Sequence, residues 1–87
     1  MNNINDTSSR AQRSRLLNHL IAVGAAGVTR FQAADDLNII HLGARIKELR
    51  NADNDILTIR ETLADDYGRR HQGIARYVLI RLAQVQP

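Results

Sequence analysis

Positive charge in this chain is carried almost wholly by arginine. The 87 residues include 12 lysines and arginines against 9 aspartates and glutamates, for a net charge of +3, and Lys47 is the only lysine. The planar guanidinium group binds phosphate oxygens and guanine edges through two parallel hydrogen bonds, which an ammonium group cannot do. The chemistry that these residue types offer is therefore recognition of a polyanion, and nucleic acid is the first candidate.

Catalytic groups do not form a recognisable constellation. The histidines lack metal-ligand spacing, and the serines cluster before and within the first helix, with no glycine elbow. The pairs Asp35–Asp36 and Asp65–Asp66 are adjacent, so on a helix their side chains diverge by about 100°. Without cysteine there is no disulfide and no thiolate metal site. We expect a protein that is not an enzyme and needs no cofactor or metal.

The length of the chain favours a single small binding domain. Such a domain buries only about 60 to 65% of its unfolded surface and has little room for an enclosed substrate pocket. The longest apolar stretch, Leu20 to Thr29, is too short to span a bilayer, and Met1 to Thr7 lacks the features of a signal peptide. We therefore expect a cytoplasmic protein without a membrane partner.

Two capping boxes indicate where the first two helices begin. Ser9 with Gln12, and Thr29 with Gln32, have the spacing at which an N-cap hydroxyl and a glutamine side chain satisfy each other's backbone groups. Apolar residues then recur at helical spacing, which predicts the first helix over residues 9–23 and the second after residue 29.

A short turn at Asn38 separates the second helix from a third. Asparagine tolerates the left-handed backbone that such a turn requires. The third helix is predicted from about His41 to Asn51, with an inward stripe formed by Leu42, Ile46 and Leu49. Two short helices joined by a tight turn form a helix-turn-helix, whose second helix can enter a major groove.

The outer face of the third helix offers the candidate base-reading residues. Gly43 and Ala44 are small enough to let the helix approach DNA closely, Lys47 and His41 can reach bases or phosphates, and Glu48 can accept from cytosine. The alternative is that Lys47 and Glu48 only solvate an exposed face.

Several arginines could bind phosphate or serve the fold. Arg50 lies at the edge of the buried stripe and is kept as a DNA candidate, although pairing with a carboxylate is as plausible. For Arg45 we favour a structural role, paired with Asp35, Asp36 or Asp53. The first helix adds three further candidates for backbone contacts or simple solvation, Arg10, Arg13 and Arg15.

After residue 51 the pattern becomes that of strands. The segments Asp55–Arg60 and Ile74–Arg81 are rich in β-branched residues, and the polar stretch between them predicts a hairpin with a long loop. A strand fragment is expected at Gly27–Val28.

The loop of this hairpin carries a basic run, Arg69-Arg70-His71, flanked by Gly68 and Gly73. Glycines let a loop approach a phosphate backbone, and paired arginines suit a narrow minor groove. The alternative is a charged hairpin tip that keeps the sheet soluble, since Asp65 and Asp66 make the loop mixed in sign.

Three segments stand out beside this order of elements, namely Ala44-Arg-Ile-Lys-Glu-Leu-Arg50, Gly68-Arg-Arg-His71 and Arg76-Tyr-Val-Leu79. Together with the order of elements they resemble a small winged helix-turn-helix family of bacterial and phage proteins. The resemblance covers about Ser9 to Leu82. It implies an α+β fold of three helices plus a C-terminal β-hairpin wing, and DNA binding without a defined operator. Two positions depart from the general helix-turn-helix pattern, since Asn38 stands in place of a turn glycine and Ala44 in place of a larger residue. These departures predict a longer turn before the third helix. Residues 1–8, outside the 9–82 domain, are expected to form a flexible tail and residues 83–87 a second tail.

Two functions remain open. The first is a sequence-specific double-stranded DNA-binding protein, namely a small phage or bacterial transcriptional regulator or a recombination accessory factor. The second is a protein interaction module on the same scaffold, for example a phage inhibitor of a host complex. The cationic surface and the scarcity of aromatic residues favour DNA over a protein partner, and the lack of a stacking platform disfavours RNA.

The last strand also predicts a homodimer. Within Tyr77–Ile80 successive side chains point to opposite faces, so either Tyr77 and Leu79 or Val78 and Ile80 cannot enter the core. A partner copy is the expected cover, and the alternative is that Leu82 and Val85 fold back over the strand.

Overall fold

A computed structural model describes residues 3–84 as three helices and a three-stranded antiparallel sheet. The elements in chain order are helix α1 (Ser9–Val23), a 3-10 turn (Gly24–Ala26), strand β1 (Val28–Thr29), helices α2 (Arg30–Leu37) and α3 (Leu42–Asn51), and strands β2 (Asp55–Ala64) and β3 (Arg70–Arg81). This is the predicted α+β order. No helix within the described residues is long and apolar enough to cross a membrane.

The helix starts follow from local hydrogen bonds. At α2 the predicted capping box is confirmed, with the Thr29 hydroxyl accepting from Gln32 N and Gln32 Oε1 accepting from Thr29 N. At α1 the prediction of Ser9 as the cap is wrong by one residue. The cap is Ser8, whose Oγ accepts from Ala11 N at 3.2 Å. Asn38 adopts the predicted left-handed backbone, with φ of 53°.

The hairpin strands are longer than predicted. Strand β3 begins at Arg70, so Arg70 and His71 lie in the strand, and only residues 65–69 connect it to β2. The prediction of a long loop is therefore wrong. The reason is Gly73, which has φ of 68° and lies where the β2–β3 register shifts, so it accommodates a bulge without ending the strand.

The core lies between the helices and one face of the sheet. Strand β3 is central, paired with β1 on one side and β2 on the other. Tyr77 and Leu79 pack against the core together with Ile56, whereas Leu57, Ile59 and Ile80 are exposed on the opposite face. Leu82 and Val85 were the residues expected to cover the last strand if no partner copy does so. Leu82 is exposed, and Val85 lies outside the described residues.

A buried arginine joins the start of the chain to the helix-turn-helix. Arg15 donates to the Leu37 carbonyl at 3.0 Å and to the Asp6 carbonyl at 2.6 Å. The Asn38 side chain donates to the Ile4 carbonyl. These bonds satisfy one carbonyl at the turn and two in the segment before α1, and they tie the end of α2 and that segment to α1.

Candidate nucleic-acid interface

Helix α3 presents two distinct faces. Leu42, Ile46 and Leu49 are buried, as the periodicity predicts. Gly43, Ala44 and Lys47 are exposed on the other side. A partner molecule can therefore approach this helix along a surface made of short side chains and one ammonium group.

Gly43 leaves the start of this surface bare. A Cβ atom added at this position would meet nothing within 4 Å. Internal packing therefore gives no reason for a glycine at the second position of α3. His41, which caps the helix, is exposed and makes no side-chain capping bond. The imidazole and the open glycine surface lie at the same end of α3.

Glu48 is occupied within the protein. Arg45 Nε lies 2.7 Å from Glu48 Oε1, and Arg13 Nη1 lies 3.3 Å from the same oxygen. Arg45 thus has an ion-pair partner within the protein, as expected, but the partner is Glu48 and not one of the aspartates predicted from the sequence. Because Arg13 belongs to α1, the carboxylate joins α1 to α3 and is less available to a DNA base than the sequence suggested.

Arg50 is likewise engaged in the fold. Its guanidinium donates to the Ile56 carbonyl at 2.7 Å and to the Thr58 hydroxyl at 2.8 Å, and it lies 5.8 Å from the centre of the Tyr77 ring. These contacts tie the last turn of α3 to the sheet. Arg50 therefore helps to hold the end of α3 against the sheet.

Asp65 organises the end of the hairpin. Its carboxylate accepts from the backbone N–H groups of Tyr67 and Arg69, pairs with the Arg69 guanidinium at 3.1 Å and lies 2.9 Å from His71 Nε2. The His71 hydrogen bond is the main reason that the pKa of Asp65 is held well below its ordinary value, outweighing partial desolvation. Asp65 is therefore charged at neutral pH, and this charge is lost only on strong acidification.

The hairpin end also contacts α2. The His71 ring lies 5.4 Å from the Phe31 ring, centroid to centroid, with the two rings tilted. This contact holds the hairpin end against α2, while the Asp65 cluster fixes the conformation of the hairpin end itself. Arg69 is directed by Asp65, whereas Arg70 has no carboxylate partner among residues 3–84.

A groove runs from the start of α3 to the hairpin end. It consists of a cleft of about 260 Å³, lined by Gly43, Arg30 and Arg60 among others, and a neighbouring cleft of about 440 Å³ that reaches Tyr67 and Arg69. The two clefts share Arg30 and Ile40. The groove thus places arginines from α2 and β2 beside the bare surface of α3.

Comparison with protein families decides what this arrangement is. A model described as a winged helix-turn-helix domain matches residues 11–82. The chain belongs to the winged helix-turn-helix family. The fold predicted from the sequence is therefore confirmed, and membership indicates DNA binding in general and a type of module that is typically not enzymatic. Neither the curated proteins nor the solved structures give a match.

In this winged helix-turn-helix domain α3 occupies the position of the recognition helix and the β2–β3 hairpin is the wing. Arg30 and Arg60, which face the groove between them, were not among the residues predicted from the sequence. Both are exposed, and within the described part of the chain neither pairs with a carboxylate. No local signal marks both of them, since Glu61 directly follows Arg60 in the sequence. Only the fold brings positions 30 and 60 together.

Proposed function

We propose that this domain binds double-stranded DNA in a sequence-specific manner, as a small bacterial or phage transcriptional regulator or recombination accessory factor in the cytoplasm. Helix α3 enters the major groove, and the wing lies on the adjacent backbone or minor groove. The observation that carries the proposal is the groove in which Arg30 and Arg60, both without carboxylate partners, flank the bare surface at Gly43. In the cleft at Gly43 the charged lining residues are Arg30 and Arg60 alone, with Tyr77 as the one aromatic, whereas Asp35, Asp65 and Asp66 line the neighbouring cleft. A protein-binding surface in place of the cleft at Gly43 would be expected to be more aromatic and less cationic.

The residues divide by role. His41, Gly43, Ala44 and Lys47 form the surface that faces base edges. Phosphates are bound by the arginines without carboxylate partners along the groove and wing, Arg30, Arg60 and Arg70. The residues already engaged within the domain, namely Glu48, Arg50, Arg69 and His71, position the helix and the wing.

A mobility-shift titration tests the proposal directly. The target is the DNA that flanks the gene of this protein, and the competitor is random-sequence DNA of equal length. We expect a shifted complex that survives an excess of competitor and weakens steeply with salt. A complete lack of salt-dependent binding would refute the DNA proposal and favour the protein-binding alternative.

Substitution of Gly43 by glutamine separates folding from groove entry. Because the added side chain projects into open space, we expect the free energy of unfolding to change by less than about 1 kcal/mol. The same side chain would keep α3 from the base edges, so specific affinity should fall by about tenfold or more. The matched control is Asn18→Gln, at an exposed position of α1, which should alter neither quantity. Unchanged DNA affinity in the Gly43 variant would exclude this surface.

Removal of both wing arginines, Arg69→Ala with Arg70→Ala, tests the hairpin. Backbone contacts position a protein without reading sequence, so binding to specific and to random DNA should weaken alike. The slope of log affinity against log salt should fall by about 0.9 for each phosphate that the variant no longer binds. Arg70→Ala alone should account for most of the change, since Asp65 holds Arg69. A slope equal to that of the parent would remove the wing from the interface.

A further inference from the structure

The face of the sheet that points away from the helices carries an apolar strip. Leu57 and Ile59 alternate along β2 with inward residues and are 48% and 41% exposed. Val78 lies opposite Leu57 in the register but is itself buried, at 7% exposure. The exposed members of the strip are therefore Leu57, Ile59 and Ile80, of which Ile80 follows the inward Leu79 and is 61% exposed. The strip is unrelated to the groove beside α3, because it lies on the other side of the sheet.

Ion pairs flank the strip at both ends. At one end Asp55 on β2 pairs with Arg81 on β3 at 3.3 Å, and at the other Glu61 on β2 pairs with Arg76 on β3. Each acidic group stands on β2 and each basic group on β3. The charges of these two pairs sum to zero, whereas the chain as a whole carries +3. Two copies can therefore approach through this face without the repulsion that their cationic sides impose.

We propose that a second copy of this chain packs on this strip, face to face, about a two-fold axis parallel to the strands. Rotation about that axis places β2 over β3 of the partner copy at the same level. Asp55 then faces Arg81 of the other copy at the same level. Glu61 lies two residues along the strand from the level of the other copy's Arg76, within diagonal reach of that guanidinium, and the apolar strips meet between the two sets of charges. A two-fold axis across the strands would instead place like charges opposite each other. The pattern of charges is thus self-complementary in one orientation, as an isologous interface requires.

This dimer leaves the groove beside α3 open in both copies, and it does not depend on the proposed DNA binding. It also covers Ile80, the one member of the pair Val78 and Ile80 that stays exposed in a single copy. Sedimentation equilibrium without DNA tests it, between about 5 and 200 μM protein. We expect twice the monomer mass at the upper concentrations, and a monomer at every concentration would overturn the proposal.

Two charge variants test the orientation. Asp55→Arg makes one end of the strip wholly basic, and Arg81→Asp makes it wholly acidic. Both positions are more than half exposed, so the monomer should tolerate either change. Each variant alone should be monomeric, while an equimolar mixture should form a heterodimer, because the two ends are then complementary. A mixture that stays monomeric, or single variants that dimerise like the parent, would overturn the two-fold arrangement.

An apolar variant and its control complete the test. Leu57→Glu should raise the dissociation constant of the dimer by about tenfold or more, because it places a charge without a partner at the centre of the interface. Ile21→Glu changes a residue of similar exposure, 50%, on α1 and should leave the dissociation constant unchanged. Equal effects of the two variants would contradict the assigned face.

Discussion

Replacement of Leu49 by alanine is expected to lower the free energy of unfolding by about 2 to 5 kcal/mol. Leu49 is 5% exposed and belongs to the core cluster beneath α3. Truncation removes apolar burial and leaves a cavity that the neighbouring elements fill only in part. Because single domains are typically stable by only about 5 to 15 kcal/mol, much of this variant should be unfolded well below the melting temperature of the parent.

Lys47→Ala is the matched control for the core substitution. Lys47 lies two residues earlier on the same helix, but its side chain is exposed and makes no ion pair within residues 3–84. Its removal should change the free energy of unfolding by less than about 0.5 kcal/mol while weakening DNA binding. Urea melts of the two variants provide the measurement. A larger destabilisation from Lys47→Ala would mean that α3 is turned the other way.

The helices could be predicted because their signals are local. A capping box and an apolar stripe at helical spacing act within one element, and Asn38 supplies the left-handed turn by its own backbone preference. The error at the first cap shows the limit of such signals. Ser8 and Ser9 are adjacent and equally capable of capping, and the Gln12 side chain bonds to the Thr7 carbonyl instead of closing a box with Ser9.

The candidate site was less predictable because its contacts join distant segments. Glu48 was assigned to DNA from its helix face alone, yet it pairs with Arg45, three residues earlier on the same helix, and with Arg13, 35 positions earlier in the chain. The pair with Arg45 is local and could have been predicted, whereas the pair with Arg13 could not. Glycine at position 73 was taken as the end of a loop, although a bulge lets β3 continue through it. Arg30 and Arg60 line the same groove only because of the way α2 packs beside the sheet. No local sequence pattern specifies that packing.

Removal of the two groove arginines, Arg30→Ala with Arg60→Ala, should produce the largest loss of DNA binding. Both line the cleft that opens at Gly43, and neither has a carboxylate partner in the described part of the chain. Arg60 donates to the Gly73 carbonyl at 3.1 Å, and Arg30 lies 5.0 Å from the centre of the Phe31 ring. Neither contact neutralises the charge, which is therefore available to phosphates. Suppose the parent binds on the order of four phosphates per protomer. It should then lose about two decades of affinity between 50 and 200 mM salt, and the double variant only about one.

The control for this variant must change the net charge without changing the groove. Ser14→Asp with Asn18→Asp, at exposed positions of α1, lowers the net charge from +3 to +1, as the removal of two arginines does. If the arginines act through direct contacts, the acidic control should keep the salt slope of the parent while the arginine variant shows a smaller slope and at least about tenfold weaker binding at low salt. Equal effects of both variants would mean that only the overall charge matters, and the groove would then have no special part in binding DNA.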